Sequence, residues 1–343
     1  EDGIRDKLVT GVQTCALPIC VHRDLRVSLT DRCSLRCTYC MPHNFDKWLP
    51  TDTLLTAKEI IKVVEIAVSQ GVTEVRLTGG EPLLRPDIVE IVSGINALDN
   101  APELSMTTNG VALAKVAKEL AGAGLRRINI SLDTLNWERF KRLTFRDRYD
   151  DVIEGIAAAR EAGLDPIKIN TVLMRDINGD EALPLLKWAL SENLNLRFIE
   201  QMPLDAGDAW TRSNLITAEE IFSQLNSEYE LTPVENRGSS PAEEFYVNGG
   251  PATVGIIASV TRSFCSNCDR LRLTSDGQIR NCLFSNEETD VRSILRNGRL
   301  AESEKREDII KALGLSVKAK LPGHGINNPD FVKPVRPMSA IGG

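Results

Sequence analysis

The chain has 343 residues, 42% of them hydrophobic, enough for one large α/β domain or for two domains sharing a core. Its net charge of −7 and pI near 5.3 speak against a general polyanion-binding surface, so nucleic acid is not an expected partner, although a local arginine cluster could still hold a phosphorylated small molecule. No apolar run reaches the ~18 residues of a helical membrane span. Six of the eight cysteines fall into two tight triplets with no secretory signal ahead of them, which is not a disulfide framework; a reducing cytoplasm is the expected setting.

Residues 1–21 show no period and pass abruptly into the patterned "VHRDLRVSLT". They read as an atypical leader, non-native or disordered, and its Cys15 and Cys20 lack the spacing of the other cysteines. From residue 26 to about 202, short apolar segments alternate with helical patterns. The predicted strands are 26–30, 74–79, 104–108, 127–132, 167–173 and 196–201. Helices are predicted within 56–71, 85–98, 113–124, 150–163 and 181–193, the first with a threonine at its start and a glycine just past its end. Six parallel strands with right-handed helical crossovers predict an α/β fold, an incomplete (β/α)6 TIM-type barrel over residues 22–205. An open doubly wound sheet fits the same alternation. Residues 206–331 form a C-terminal region that closes the barrel, and 332–343 a flexible tail ending in Gly-Gly, a pair small enough to enter a narrow space near a substrate.

Barrel enzymes carry their chemistry at the C-terminal ends of the strands, and each predicted strand here ends in polar groups. The first is followed by Cys33, Cys37 and Cys40, the second by "TGGEP" (78–82) and the third by "TTNG" (107–110). The fourth ends in Ser131 and Asp133, the fifth carries Lys168 and Asn170, and Glu200, Gln201 and Met202 follow the sixth. Any one of these could be a turn or a cap.

The C-x3-C-x2-C triplet suits a soft metal. A closed zinc site needs a fourth ligand, for which His43 is the only local histidine. A four-iron cluster on three thiolates leaves one iron open to a small molecule, which is a use for three. A second set, Cys265, Cys268 and Cys282 in "CSNCDRLRLTSDGQIRNCLF", repeats the count and predicts a second such cluster facing a substrate, with a zinc knuckle as the alternative. Arg270 and Arg272 lie between these cysteines, two apart as on one face of a strand, with Leu271 turned to the core; guanidinium forks suit a phosphorylated substrate.

The first triplet together with "TGGEP" resembles the signature of the radical S-adenosylmethionine superfamily. The resemblance implies that the open iron is chelated by S-adenosylmethionine, that Tyr39 lies beside its adenine, and that Gly79, Gly80 and Glu81 approach its amino group. With "CDRLRLTSDGQIRNCL" and the terminal "SAIGG", the chain from about residue 22 onward is similar to the GTP 3′,8-cyclase family of molybdenum cofactor biosynthesis. That similarity implies two [4Fe-4S] clusters and S-adenosylmethionine as cofactors. It implies that Arg26, Arg76, Thr107, Lys168 and the Arg270-Leu271-Arg272 segment contact GTP, and that Tyr39, Gly80, Ser131 and Met202 contact S-adenosylmethionine. An electron donor, a downstream cyclic pyranopterin monophosphate synthase and a homodimer are the further partners it brings. A peptide-modifying enzyme of the same superfamily and an iron–sulfur electron-transfer module remain alternatives, against which the arginines between the second-set cysteines favour a triphosphate.

Overall fold

The structure, a computed structural model, describes residues 22–42, 44–204 and 210–342. The leader with Cys15 and Cys20, His43, the expected 205/206 boundary and Gly343 lie outside them.

The first part of the chain alternates strands and helices. In order these are β1 (Asp24–Ser28), α1 (Ala57–Ser69), β2 (Glu74–Thr78), α2 (Ile88–Asn96), β3 (Glu103–Thr108), α3 (Ala117–Ala123) and β4 (Arg127–Ser131). There follow α4 (Trp137–Thr144), α5 (Tyr149–Glu161), β5 (Ile167–Val172), α6 (Ala182–Ser191) and β6 (Asn195–Ile199). Every predicted strand and helix has a counterpart. The helix predicted over 113–124 is interrupted at Val116, with a 3₁₀ turn before it and α3 after. Helix α4 is not foreseen: half of "WERFKRLT" is charged, and it buries only Phe140, Leu143 and Thr144. It forms because Asn136 caps it, its side-chain oxygen accepting from Glu138 N and Arg139 N.

The C-terminal part contributes α7 (Ala218–Asn226), β7 (Leu231–Pro233), β8 (Glu243–Val247), β9 (Thr253–Ile257), β10 (Arg270–Leu273), β11 (Gln278–Arg280), β12 (Thr289–Asp290), α8 (Arg292–Leu295), α9 (Glu302–Lys318) and α10 (Met338–Ile341). Among the described residues the strands make one sheet in the order β12-β11-β10-β1-β2-β3-β4-β5-β6-β9-β8-β7. Strands β1 to β6 follow one another without the reversal that defines a doubly wound sheet, which removes that alternative. The C-terminal region does not form a separate layer: β10 pairs parallel with β1, and β9 parallel with β6, so it extends the six-strand run at both edges.

Alternation along the strands sets two faces. Leu25, Val27, Val75, Leu77, Ile128, Ile130, Ile167 and Ile169 enter the main core beneath the helices. The opposite face carries Arg26, Arg76, Ser105, Thr107, Asn129, Lys168, Asn170, Arg197 and Arg272, an unusual concentration of polar groups for the inside of a sheet. A smaller core gathers Leu204, Leu215, Val260, Leu283, Phe284, Ile326 and Ile341, tying the tail to the second cysteine region. The end of the expected flexible tail is seated in this structure, with Ser339, Ala340 and Ile341 buried, while Val332 and Val335 before it are exposed. No helix among the described residues is long and apolar enough to cross a membrane.

Candidate active site

The loop after β1 that carries Cys33, Cys37 and Cys40 is held from two sides. Arg36 N and Thr38 N donate to the carbonyls of Thr144 and Leu143, so the unforeseen α4 anchors it. Cys40 N and Met41 N both donate to Cys37 O, folding the last two cysteines into a turn. On the other side, Gly80 N donates to Thr30 O at 2.6 Å and Glu81 N to Arg32 O at 2.8 Å. This approach needs the glycines: Gly79 has φ +149°, and a Cβ on Gly80 would lie 2.4 Å from Arg32 O.

Glu81 is buried and tied into the next strand end. Its carboxylate accepts from Thr108 Oγ1 at 2.7 Å, Asn109 N at 2.7 Å and Leu83 N at 3.0 Å, while Asn109 Nδ2 reaches Cys33 Sγ at 3.6 Å. Burial outweighs those donors and pushes its pKa up to about 7. Tyr39 Oη donates to Asp133 Oδ2 at 2.7 Å, and burial lifts Asp133 to about 6. The thiols are shifted in the same direction: burial, then Glu81, raises Cys33 to about 11, burial raises Cys40 to about 12, and burial with Asp133 raises Cys37 well above its usual range. As bare thiols they stay protonated at neutral pH; a metal cluster supplies the positive charge that would deprotonate them.

A cavity opens at the C-terminal ends of the parallel strands. Its wall includes Arg26, Arg76, Thr107, Ser131, Met202, Arg270 and Arg272 from the expected set, with Tyr39 at one side and Cys265, Cys268 and Cys282 at another. Strand register explains the cationic wall. Arg26 lies directly between Arg76 on β2 and Arg272 on β10, so three guanidinium groups share one row. Burial and the neighbouring arginines hold Arg26 well below the usual arginine range, and burial with Arg270 brings Arg272 to about 10. Asp24 comes no closer to Arg26 Nε than 3.9 Å, and that nitrogen has no hydrogen-bond partner among the described residues. A buried, incompletely compensated positive row suits an anion.

The second triplet sits on cationic ground. Arg270 Nε donates to Cys268 Sγ at 3.3 Å, and its guanidinium lies 4.7 Å from the Phe264 ring centroid. Burial raises the Cys268 thiol, but Arg270 and Lys320 together act against it, and the net shift is below its usual value. His324 is the histidine nearest this set in the cavity wall, yet both its ring nitrogens are engaged: Nε2 with Ser259 O at 3.0 Å, and Nδ1 with the Ile326 N–H at 3.1 Å. It is therefore not disposed to serve as a fourth ligand. Among the described residues no three His, Cys, Asp or Glu side chains are arranged to hold a single metal ion. The donor chemistry, two sets of three free thiols, fits clusters rather than closed zinc sites.

Some expected residues stand elsewhere. Cys33, Cys37, Cys40, Gly79, Gly80 and Glu81 do not line this cavity; Met338 of α10 does, and the neighbouring Ser339 N–H faces the Cys40 thiol. Lys168 shares the face of the cavity residues Asn170 and Val172 but one step nearer the start of β5; burial and Arg197 lower it to about 8. The side chain of Leu271 is in the core. Both arginines of "DRLRL" line the cavity; Arg270 also donates to Cys268 Sγ, and Arg272 Nη1 to the Gly342 carbonyl. Unforeseen in the wall are Arg197, Phe264, Asn281 and His324. Arg197 could have been found from the two-residue alternation of β6; the others carry no local signal.

The model of the radical SAM superfamily matches residues 27–189, and that of the molybdenum cofactor synthesis C-terminal region matches 194–326. A GTP 3′,8-cyclase of Streptomyces coelicolor is 55% identical over 326 residues, covering 94% of this chain and 94% of that protein. The chain belongs to the GTP 3′,8-cyclase family. A second member, from Mycolicibacterium smegmatis, is 53% identical, covering 93% of this chain and 89% of that protein. In fold, the family member described here is similar to the crystal structure of Streptococcus suis SuiB, with a TM-score of 0.59 at 16% identity, covering 88% of this chain and 66% of that one. The chain is accordingly a radical S-adenosylmethionine enzyme of α/β architecture built on a parallel sheet, and family membership implies a four-iron cluster and S-adenosylmethionine.

Proposed function

We propose that this protein converts GTP to (8S)-3′,8-cyclo-7,8-dihydroguanosine 5′-triphosphate, an early step of molybdenum cofactor biosynthesis, inside an incomplete (β/α)6 barrel closed by its C-terminal region. The observation that carries the proposal is the in-register row Arg272, Arg26 and Arg76, which opens on the same cavity as the second cysteine triplet. A triphosphate suits that row, because bidentate guanidinium contacts recognise phosphate and bury little charge uncompensated once it is bound.

Cys33, Cys37 and Cys40 would hold the family's cluster, and Cys265, Cys268 and Cys282 a second one with an iron open towards the base. When bound, the first cluster would supply the radical chemistry of S-adenosylmethionine: with one electron from an external donor, cleavage to methionine and 5′-deoxyadenosine would remove a hydrogen from carbon 3′ of GTP, and a further electron and a proton, taken up after the bond to carbon 8, would give the 7,8-dihydro product. The remaining work belongs to side chains. Tyr39, Ser131 and Met202 orient S-adenosylmethionine, with Gly79, Gly80 and Glu81 shaping its amino-acid end. Arg26, Arg76, Thr107 and Lys168, with the Arg270–Arg272 strand, fix the nucleotide, and the covering segments exclude water from the reacting centre. Domain boundaries at 22–205 and 206–331 and a cytoplasmic setting that keeps the thiols reduced belong to the same proposal, as do an external electron donor and a cyclic pyranopterin monophosphate synthase downstream.

The test is anaerobic reconstitution followed by assay of 5′-deoxyadenosine and the cyclised nucleotide. About eight irons per chain, with 5′-deoxyadenosine formation stimulated by GTP and not by peptides, is the expected result. Cys37→Ala should abolish 5′-deoxyadenosine formation, whereas Cys268→Ala should chiefly remove GTP binding. Stoichiometric zinc, or stimulation by peptide alone, would overturn the assignment.

A further inference from the structure

The two cysteine sets differ in the charge that surrounds them. Carboxylates lie near the first: Glu81 acts on Cys33 and Asp133 on Cys37. Cations lie on the second. Beside the Arg270 contact to Cys268 Sγ, the ammonium of Lys320 donates to the Arg270 carbonyl at 2.5 Å, and Lys320 lines, together with Cys265 and Cys268, a second cavity. Two cationic side chains therefore converge on one sulfur.

Lys320 comes from the connector between α9 and α10, a segment without strand or helix signal. The connector is nevertheless fixed. His324 is braced by Ser259 O, its ring centroid is 4.9 Å from that of Phe284, and Asn327 Nδ2 donates to Val260 O at 3.1 Å. The backbone N–H of His324 faces the Cys265 thiol, so the connector touches two of the three cysteines. Arg270 also lines the substrate cavity, but Lys320 does not. A role of Lys320 towards the cysteines is therefore separable from nucleotide binding.

The reduction potential of an iron–sulfur cluster depends on nearby charge and on hydrogen bonds to its sulfurs. A fixed cation beside a ligating sulfur favours the more negative, reduced form, which raises the potential. We propose that Lys320 is a positioning residue that sets the potential of the second cluster by placing its ammonium against Cys268 and the Arg270 carbonyl. The proposal rests on the reading that Cys265, Cys268 and Cys282 hold a cluster.

The experiment is a spectroelectrochemical titration of the anaerobically reconstituted full chain, with dithionite supplying the single electron of each cluster couple. Wild type is compared with Lys320→Met, which keeps the length without the charge, and Lys320→Arg, which restores a charged donor. Iron is counted first. If wild type loads only four irons per chain, the second-cluster reading itself fails, whatever Lys320 does. With about eight irons retained, Lys320→Met should move the midpoint of the second cluster to a more negative value, leave that of the first unchanged, and be at least partly reversed in Lys320→Arg. An unchanged second midpoint in Lys320→Met overturns the proposal, as does an equal shift in both clusters. Should Lys320→Met lose iron, Lys320→Arg decides: a midpoint near that of wild type with iron retained upholds the role of the charge, and a midpoint displaced negatively despite the restored charge refutes it.

Discussion

Tyr39 donates its hydroxyl to Asp133 at 2.7 Å, and this bond joins the first cysteine loop to the end of β4. Asp133 is in turn held by Val172 N at 2.8 Å, so one carboxylate fixes the ring across two strands. Tyr39→Phe should cost about 1–3 kcal/mol of stability, since a buried carboxylate loses a donor. It should weaken S-adenosylmethionine binding by less than about tenfold, because the ring remains. Tyr39→Ala should weaken it more. Denaturant unfolding and equilibrium binding check the pair; equal losses of affinity in both variants would show that the hydroxyl, not the ring, carries the contact.

Glu81 gives a pH signature. Its pKa rises from the ordinary 4.5 to about 7 on folding, so between those values the folded chain binds more protons than the unfolded one. Stability then falls as pH rises through this window, and Asp133, raised from 3.8 to about 6, adds to the slope. In the metal-free protein, unfolding free energy should decline from pH 5 to pH 7.5. Glu81→Gln, which cannot ionise, should flatten the decline. A wild-type profile rising over this range would contradict the assignment.

Much of this site was legible because it is local. Six cysteines, "TGGEP" and the ends of β1 to β6 are written in spacing and in two-residue alternation. What escaped depends on contacts far apart in sequence. That β10 would lie beside β1 and put Arg272 next to Arg26 is a pairing across some 245 residues, which no local period encodes. Helix α4 escaped because its pattern is charged and its work is done by two carbonyls. The seat of the tail escaped because "VKPVRPMSAIGG" has the composition of a free end.

Glu200 is legible as a polar group at a strand end, but its partners, far apart in sequence, are not. Only 1% exposed, it accepts from Ala218 N, Val260 N, Thr261 N and Thr261 Oγ1, all at 2.5–2.9 Å. One carboxylate thus binds the end of β6, the start of α7 and the turn that leads from β9 to Cys265. Glu200→Gln turns one acceptor into a donor facing N–H groups, and should destabilise the chain by about 2–4 kcal/mol. Iron content of the second set should fall more than that of the first. Thermal unfolding and iron analysis of a Cys33/Cys37/Cys40→Ala background measure this directly; unchanged loading there would reduce Glu200 to a general stabiliser.

The arginine row predicts opposite effects on stability and on binding. Arg26 is flanked by Arg76 and Arg272, buried, and left with one nitrogen unsatisfied, so without an anion it sits in a repulsive field. Removing one of several buried like charges relieves that repulsion. Arg26→Met, which retains much of the aliphatic stem, should therefore stabilise the nucleotide-free protein by about 1–3 kcal/mol. The same change removes a charge-assisted contact worth roughly 1.5–3 kcal/mol, and GTP binding should weaken on the order of tenfold to a hundredfold. Iron content should stay the same. Arg26→Lys should keep most of the repulsion and recover only part of the affinity, because an ammonium retains the charge but not the fork. Unfolding with and without GTP, alongside equilibrium binding to the reconstituted protein, measures both effects in one series. If Arg26→Met lost stability and kept its affinity for GTP, the row would be a structural feature of the sheet and the triphosphate would have to bind elsewhere.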